Sequence, residues 1–418
     1  MSFKSKKLRY TVTLNDEILP EDFNPDALIR YAELSDVSEG EPIRWQEPMR
    51  FEEAPSRARR VVRPGDVIVS TVRTYLRAIA HVVDPPESAI ASTGFGVLRP
   101  RGIDSKFLKY ATLSQRFIDA VVSRSVGVSY PAINPSELLN ISLPAPNPGE
   151  QQQIADYLDH ETAEIDAFIN ELSSLGPLLA EEHETMRVMT LGSDDADVPR
   201  TRLKFCSYVT VGIVVNPSAW YANQGVPALR GTNIKSERID LNDIVRITDE
   251  GHAFHNKSAL STGDVVVVRT GQAGTAATIP DELDGSNAID LLVIKPGPTL
   301  DGKYLAAYIN SRSARGQFEA GTVGAIQGHF NVESLKNLEI PVPPREQQIA
   351  RYSEWETRKM RMRTASQDIQ QAIDLARERR AALITAAVTG QIDVTARNKP
   401  AAEQIEDDVA QGLHREYA

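Results

Sequence analysis

One stretch of this chain is written twice. Pro144-Ala145-Pro146-Asn147-Pro148-Gly149-Glu150-Gln151-Gln152-Gln153-Ile154-Ala155 returns about 195 residues later as Pro341-Val342-Pro343-Pro344-Arg345-Glu346-Gln347-Gln348-Ile349-Ala350. Each copy is a proline-rich stop followed by Glu and Gln residues that open a long helical pattern. Proline fixes its own φ and drives the preceding residue out of the helical region, so the run ends one element cleanly. It is tolerated at the first turn of the next, where Glu also suits the positive end of the helix dipole. The motif therefore reads as a hinge that throws a helix away from a folded domain. Two copies make the chain a tandem duplication.

Other segments repeat in step. Pro64-Gly65-Asp66 leading into Val67-Ile68-Val69-Ser70 matches Thr262-Gly263-Asp264 leading into Val265–Val268, a turn followed by a β-branched strand. Gly96-Val97-Leu98-Arg99-Pro100 matches Leu292-Val293-Ile294-Lys295-Pro296, and Lys106-Phe107-Leu108 matches Lys303-Tyr304-Leu305. Val126-Gly127 with Asn134 and Leu138 matches Val323-Gly324 with Asn331 and Leu335. Apolar residues at helical spacing predict one helix over 105–122, with Ser105 as its N-cap.

After each hinge comes a heptad line: Leu158, Ile165, Leu172, Leu179 and Met186 in the first helix, with Ile154, Phe168, Leu175 and Met189 beside it. Trp355, Met362, Ile369, Ala376 and Leu383 form the line of the second. Gly176-Pro177 is expected to kink or break the first helix. From Glu150 to Leu191 ten acids face one base, while the second helix carries nine bases and six acids. An acidic and a basic helix with matching seams are expected to pair antiparallel, as a spacer about 60 Å long.

The net charge of -11 argues against a nucleic-acid partner, but its distribution does not. Between Arg57 and Arg116 there are eleven basic residues and four acids, a net +7. Arg57, Arg59, Arg60, Arg63, Arg99 and Arg101 are the candidates there for phosphate contacts. No apolar run approaches the about eighteen residues of a membrane span, no secretory h-region follows Met1, and a single cysteine fits a reducing compartment. These features predict a cytoplasmic protein without a membrane partner.

Catalytic signatures are fragments only. Asp84-Pro85-Pro86-Glu87 lacks the aromatic that would stack on a flipped base, and no glycine-rich turn for a methyl donor lies nearby. Gly271-Gln272-Ala273-Gly274 falls short of a phosphate loop, and His252 and His255 have no further ligands beside them. The expectation is a non-catalytic chain without cofactor or metal. Loops at matching places carry the side chains that read base edges: Arg73, Tyr75 and Arg77 after one strand, Arg269 and Gln272 after the other. Ser129 and Tyr130 in the first half, and Gln327 and His329 in the second, form a further loop pair.

The duplicated hinge and its long helices resemble the specificity subunit of type I restriction–modification systems. The closing run Glu378-Arg379-Arg380-Ala381-Ala382-Leu383-Ile384 through Thr389-Gly390-Gln391-Ile392-Asp393-Val394 is similar to that family's C-terminal segment. The resemblance implies an α+β fold: two similar mixed α/β target-recognition domains (1–146 and 199–342), joined by two long helices (147–192 and 343–390) in a pseudo-two-fold antiparallel coiled coil. An acidic, disordered tail (391–418) would follow. It further implies a bipartite double-stranded DNA site, read one half by each domain. Two methyltransferase (modification) subunits and restriction/helicase subunits would be partners, supplying adenine methylation and ATP-dependent cleavage. A degenerate methyltransferase or nuclease relative, or a coiled-coil protein-binding adaptor, are the alternatives.

Overall fold

The computed structural model describes residues 3–193, 195–320 and 331–394. Two compact units divide it, one built on residues up to Ser173 together with those from Gln371 onward, the other on Ser174–Gln370. Each unit holds a mixed α/β domain and one end of each of two long helices, Pro148–Leu191 and Arg345–Thr389. The fold is α+β, as the resemblance implies.

In the first unit four antiparallel strands lie in the order Val12–Leu14, Phe95–Pro100, Val67–Ser70, Ile79–His81. Val67, Ile68 and Val69 are buried on both faces, which is why this strand reads as an unbroken β-branched run. A second sheet, Met49–Arg50, Leu28–Ala32, Ala89–Ser92, Ala58–Val61, includes one parallel pair. The helix expected over 105–122 is two helices, Ser105–Leu113 and Gln115–Arg124. Ser114 is extended between them, and its Oγ donates to the Ala111 carbonyl at 2.7 Å instead of continuing the helix. The N-cap is Asp104 rather than Ser105, its carboxylate accepting the Phe107 N–H at 2.8 Å. Phe107, Leu108 and Tyr110 pack into one core with Ile154 and Leu158 of the first long helix and Ile384, Ala387 and Val388 of the second. Each buried Phe, Leu, Ile or Val side chain among them is worth roughly 1.5–3 kcal/mol, and the helix ends are part of the domain core.

The hinge owes its sequence to hydrogen bonds. Asn147 caps the first long helix, accepting the Glu150 N–H at 3.0 Å while the Glu150 carboxylate accepts the Asn147 N–H at 2.8 Å, with Pro148 at the first helical position. Gln151, buried, accepts the Asp104 N–H at 2.8 Å and donates to the Pro146 carbonyl at 2.9 Å. Gln348 repeats this with the Asp301 N–H at 2.9 Å and the Pro343 carbonyl at 2.7 Å, and adds a bond to the Thr299 carbonyl at 2.9 Å. The repeat is therefore offset by 197 residues here, two more than the matched Ile-Ala pairs suggest. Ile154 is 1% exposed and Ile349 50%, so those two residues are not equivalents.

The first long helix is continuous through Gly176-Pro177, so the break that is one of the two expected outcomes does not occur. Pro177 removes one N–H, and Ser173, Gly176 and Pro177 are all exposed, so water can satisfy the carbonyl left over. The main heptad line is buried at Leu158 and half-buried at Ile165, Leu172, Leu179 and Met186, whereas its companion line is buried at Ile154 and exposed at Phe168, Leu175 and Met189. Within the first unit Asp166 and Arg380 pair across the two helices at 2.8 Å. Asp166 lies downstream of Leu158 while Arg380 lies upstream of Val388, so the helices run antiparallel there.

The second unit repeats the plan. Ser207–Val211, Leu291–Pro296, Val265–Val268 and Ala276–Thr278 form its main sheet in that order, with helices Gly302–Ile309 and Arg312–Ala320 after them. Trp355 stands where the first unit has Leu158 and is completely buried. Its Nε1–H donates to Glu237 at 3.0 Å. Glu237 also pairs with Lys359 at 2.8 Å and Arg187 at 3.3 Å, and the Arg187 guanidinium lies 4.8 Å from the Trp355 ring. Burial pulls the Arg187 pKa down.

His183 packs tilted against the same indole, ring centres 4.8 Å apart, and burial, assisted by Arg187, holds its pKa below the ordinary value. The folded state thus binds a proton less readily than the unfolded one. Stability of this unit is expected to fall as pH drops from about 6.5 to the lowered folded pKa, then to level off. Urea unfolding followed by tryptophan fluorescence at pH 7 and pH 5.5 checks this; His183→Gln should flatten the slope in that window, and an unchanged slope contradicts the assignment.

Candidate nucleic-acid interface

Two loops of the first domain meet at one surface. The main-sheet strand ends at Ser70, and the chain passes through a single 3-10 turn, Thr74–Leu76, before the next strand. Val126 and Ala132 exchange two backbone hydrogen bonds, at 2.9 and 3.0 Å, which close residues 127–131 into a hairpin tip. Val128 at that tip is fully exposed, and Ser129 and Tyr130 are exposed beside it. The loops are tied by Thr74 Oγ1 and Ser125 Oγ at 2.8 Å. Above that tie the Arg73 guanidinium stacks on the Tyr130 ring at 4.7 Å. Tyr75 is exposed next to them, and Arg77 leans to Glu39 at 3.8 Å. The structure thus brings Arg73, Tyr75, Ser129 and Tyr130 together.

The backbone of this turn is strained. Arg73 has φ 49° and Arg77 φ 50°, the left-handed region, which costs a residue with a Cβ roughly 1–2 kcal/mol. In the second domain the Val268 N–H bonds the Thr275 carbonyl at 2.8 Å, as the Ser70 N–H bonds that of Ala78 at 2.8 Å. That register places Gly271 (φ 79°) at the position of Arg73 and Gly274 (φ 85°) at that of Arg77. The equivalent of Arg269 is consequently Thr71, not Arg73 as the shared Arg-Thr dipeptide suggests. Arg269 itself is held by Asp290 at 3.2 Å, and Gln272 is exposed at the turn. Gln327 and His329 lie outside the described residues.

The basic segment separates into two groups. Arg99 makes a two-pronged bond to Asp66 at 3.0 and 2.9 Å and reaches Glu17 at 2.6 Å; Arg63 bonds Glu17 at 2.6 Å. The hydrogen bond from Arg63 leads in holding the Glu17 carboxyl below its usual pKa, while the bond to Asp66 leads in raising that of Arg99. Asp66 is 1% exposed, and in the second domain Lys295 meets Asp264 in the same turn at 3.4 Å. Arg99 therefore serves the frame. Arg101 pairs with Asp16 at 3.3 Å on the surface. Arg59 stacks on Phe51 at 4.7 Å, and Arg60 is half-buried, its pKa lowered by desolvation. Arg57 is exposed and has no ion pair among the described residues.

Sequence reasoning missed an aromatic cluster in the second domain. Trp220 stacks on Phe254 at 5.7 Å, and His255 packs edge-on to both. His255 stands nine residues before Asp264, as Arg57 stands nine before Asp66, so aromatics occupy ground that the first domain gives to arginines. Phe254 is 75% exposed. Trp220 is far from Phe254 in sequence, and only the fold reveals the stack. Among the described residues no group of His, Cys, Asp or Glu could hold a metal ion, and no helix is long and apolar enough to cross a membrane.

These paired frames are those of a known family. The model for the type I restriction modification DNA specificity domain matches residues 58–173 and 208–352, one stretch in each unit. The chain belongs to that family. The specificity subunit of the type I restriction enzyme EcoKI from Escherichia coli (strain K12) is 25% identical over 224 residues, 50% of this chain and 47% of that protein. The chain thus spans about half the length of this curated relative. A chain from a structure addressing complex assembly and conformational transition of the type I R-M system matches with a TM-score of 0.72 and 20% identity, covering 94% of this chain and 98% of the other. The crystal structure of the HsdS subunit from Thermoanaerobacter tengcongensis matches with a TM-score of 0.53 and 21% identity, covering 94% and 97%. At such identity these two likenesses concern the fold.

Proposed function

We propose that the chain is the DNA-recognition subunit of a type I restriction–modification complex. It reads a bipartite double-stranded site, one half with each target-recognition domain, residues 1–146 and 199–342. The observation that carries this reading is a pair of loops that leave equivalent strands, open and close on left-handed residues and yet bear different side chains, the second loop being one residue shorter: Arg73 and Arg77 in one domain, Gly271 and Gly274 in the other. A shared frame with unlike contact residues is what two readers of unlike sequences require. Arg57 and Arg59 supply phosphate contacts around the first reader.

The chemistry belongs to partners. The long helices, residues 147–192 and 343–390, dock two modification subunits that methylate adenine, and restriction subunits complete the complex in the cytoplasm. Support for docking comes from apolar residues left open on the helices. In the first unit Ile165, Phe168, Ala372 and Leu375 line a groove of about 420 Å³, and Phe168 and Leu375 are 49% and 57% exposed.

Footprinting the purified full chain, or the complex it forms, on the DNA it selects tests the reading. Two short protected blocks separated by a fixed gap are expected. Arg269→Ala combined with Gln272→Ala should alter one block and leave the other. Protection without sequence preference, or one uninterrupted block, would overturn the proposal.

A further inference from the structure

The left-handed turn and the stacked arginine together carry a more specific statement. At the position of Arg73 the second domain has Gly271, the residue that adopts φ 79° without penalty, whereas Arg73 holds φ 49°. A turn that glycine closes freely is closed here by arginine. Backbone strain of this kind points to function when the rest of the structure holds it in place. The hydrogen bond between Ser70 and Ala78 and the tie between Thr74 and Ser125 hold it here.

The guanidinium is also prepared for a ligand. It lies over the Tyr130 ring at 4.7 Å, is exposed, and has no carboxylate partner among the described residues. Arg77, Arg269 and Arg99 each face a carboxylate, at 3.8, 3.2 and 2.9 Å. Stacking fixes the plane of a guanidinium and leaves its N–H edges pointing outward, the arrangement that matches a two-acceptor edge. Among base pairs in the major groove, guanine presents such an edge through N7 and O6. Phosphate oxygens also accept such a fork, but they carry no sequence information, so a phosphate contact is the competing outcome that the selection below separates from base reading.

We propose that Arg73, positioned by Tyr130, reads a guanine in the half-site of the first domain. This rests on the DNA-recognition reading above. The test is selection of duplexes from a random-sequence library by the full chain and its variants. The wild type should enrich a bipartite motif with one fixed guanine in one half. Arg73→Gly places the sister domain's own residue in the turn, so the fold is kept. That guanine should become degenerate, the wild-type site should bind about 10- to 100-fold more weakly, and the other half should be unchanged. Arg73→Lys keeps the charge without the fork and should lose the guanine preference while retaining sequence-independent binding. A folded Arg73→Gly variant that still selects guanine at every fixed position overturns this inference and leaves the DNA reading standing. A wild type that enriches no motif overturns both.

Discussion

Replacing Glu237 by alanine lowers the unfolding free energy of the second unit by about 3–5 kcal/mol. Its carboxylate is 3% exposed and accepts from three directions: Trp355 Nε1 at 3.0 Å, Lys359 at 2.8 Å and Arg187 at 3.3 Å. Alanine leaves the Arg187 guanidinium, itself almost fully buried, with Glu184 at 3.4 Å in place of two carboxylates, and leaves the indole N–H without an acceptor. The cost of such a loss comes from the uncompensated buried charge more than from the pair's own attraction. The first unit has the uncharged Gly40, Leu158, Thr162 and Ile384 at the equivalents of Glu237, Trp355, Lys359 and Arg187, and places a different charge there, the Arg380 guanidinium that packs against Gly40 and pairs with Asp166. Moving all four first-unit residues into the second unit together should therefore restore much of what Glu237→Ala loses. Chemical unfolding followed by tryptophan fluorescence measures the single change. Circular dichroism follows the fourfold variant, which lacks Trp355. A loss under 1 kcal/mol for Glu237→Ala would mean that water reaches the cluster.

How far the residues reveal this before the fold is known depends on the distance between partners. The duplication, the main strands and both long helices are legible because proline stops, β-branched runs and heptads are local signals. The Gln151 bond to Asp104 is not: the motif shows glutamines, but only burial tells Gln151 from Gln152 and Gln153. The same limit shifted the repeat by two residues at Ile349, where a shared Ile-Ala pair outweighed the exposed setting of one copy. At the reading loops the sequence brings Arg73 and Tyr130 forward separately, Arg73 in a loop directly after a strand and Tyr130 in a polar loop before the hinge. Their stack joins positions 57 residues apart. The Arg-Thr dipeptide misled for an opposite reason. Side-chain likeness suggested an equivalence, whereas backbone conformation, carried by two glycines, set the true one. Arg99 looked like a phosphate ligand because its partner Asp66 lies in a turn signal and its carboxylate was counted as a turn residue.

Gln348→Ala should cost the second unit at least about 3 kcal/mol, although glutamine is seldom counted among core residues. Its side chain is fully buried and bonds three backbone groups: the Asp301 N–H at 2.9 Å, the Thr299 carbonyl at 2.9 Å and the Pro343 carbonyl at 2.7 Å. Each buried group left unpaired costs about 1–3 kcal/mol. Asp301 is also the N-cap of Gly302–Ile309, its carboxylate accepting the Lys303 and Tyr304 N–H groups at 3.0 Å, so loosening its backbone disturbs the cap. Gln151→Ala should weaken the first unit by a similar amount, through Asp104 and the Pro146 carbonyl. Gln152→Ala, Gln153→Ala and Gln347→Ala, all at exposed positions, should stay within about 0.5 kcal/mol of the wild type. Hydrogen exchange at the Asp104 and Asp301 amides separates this from a general loss of helix. Those two protons should exchange much faster in the matching variant, while protection in the middle of the long helices is kept. Uniform weakening across all five glutamines would instead make the motif a matter of helix propensity. A cost confined to Gln151 and Gln348 makes it the latch by which each domain is fixed to the start of its long helix.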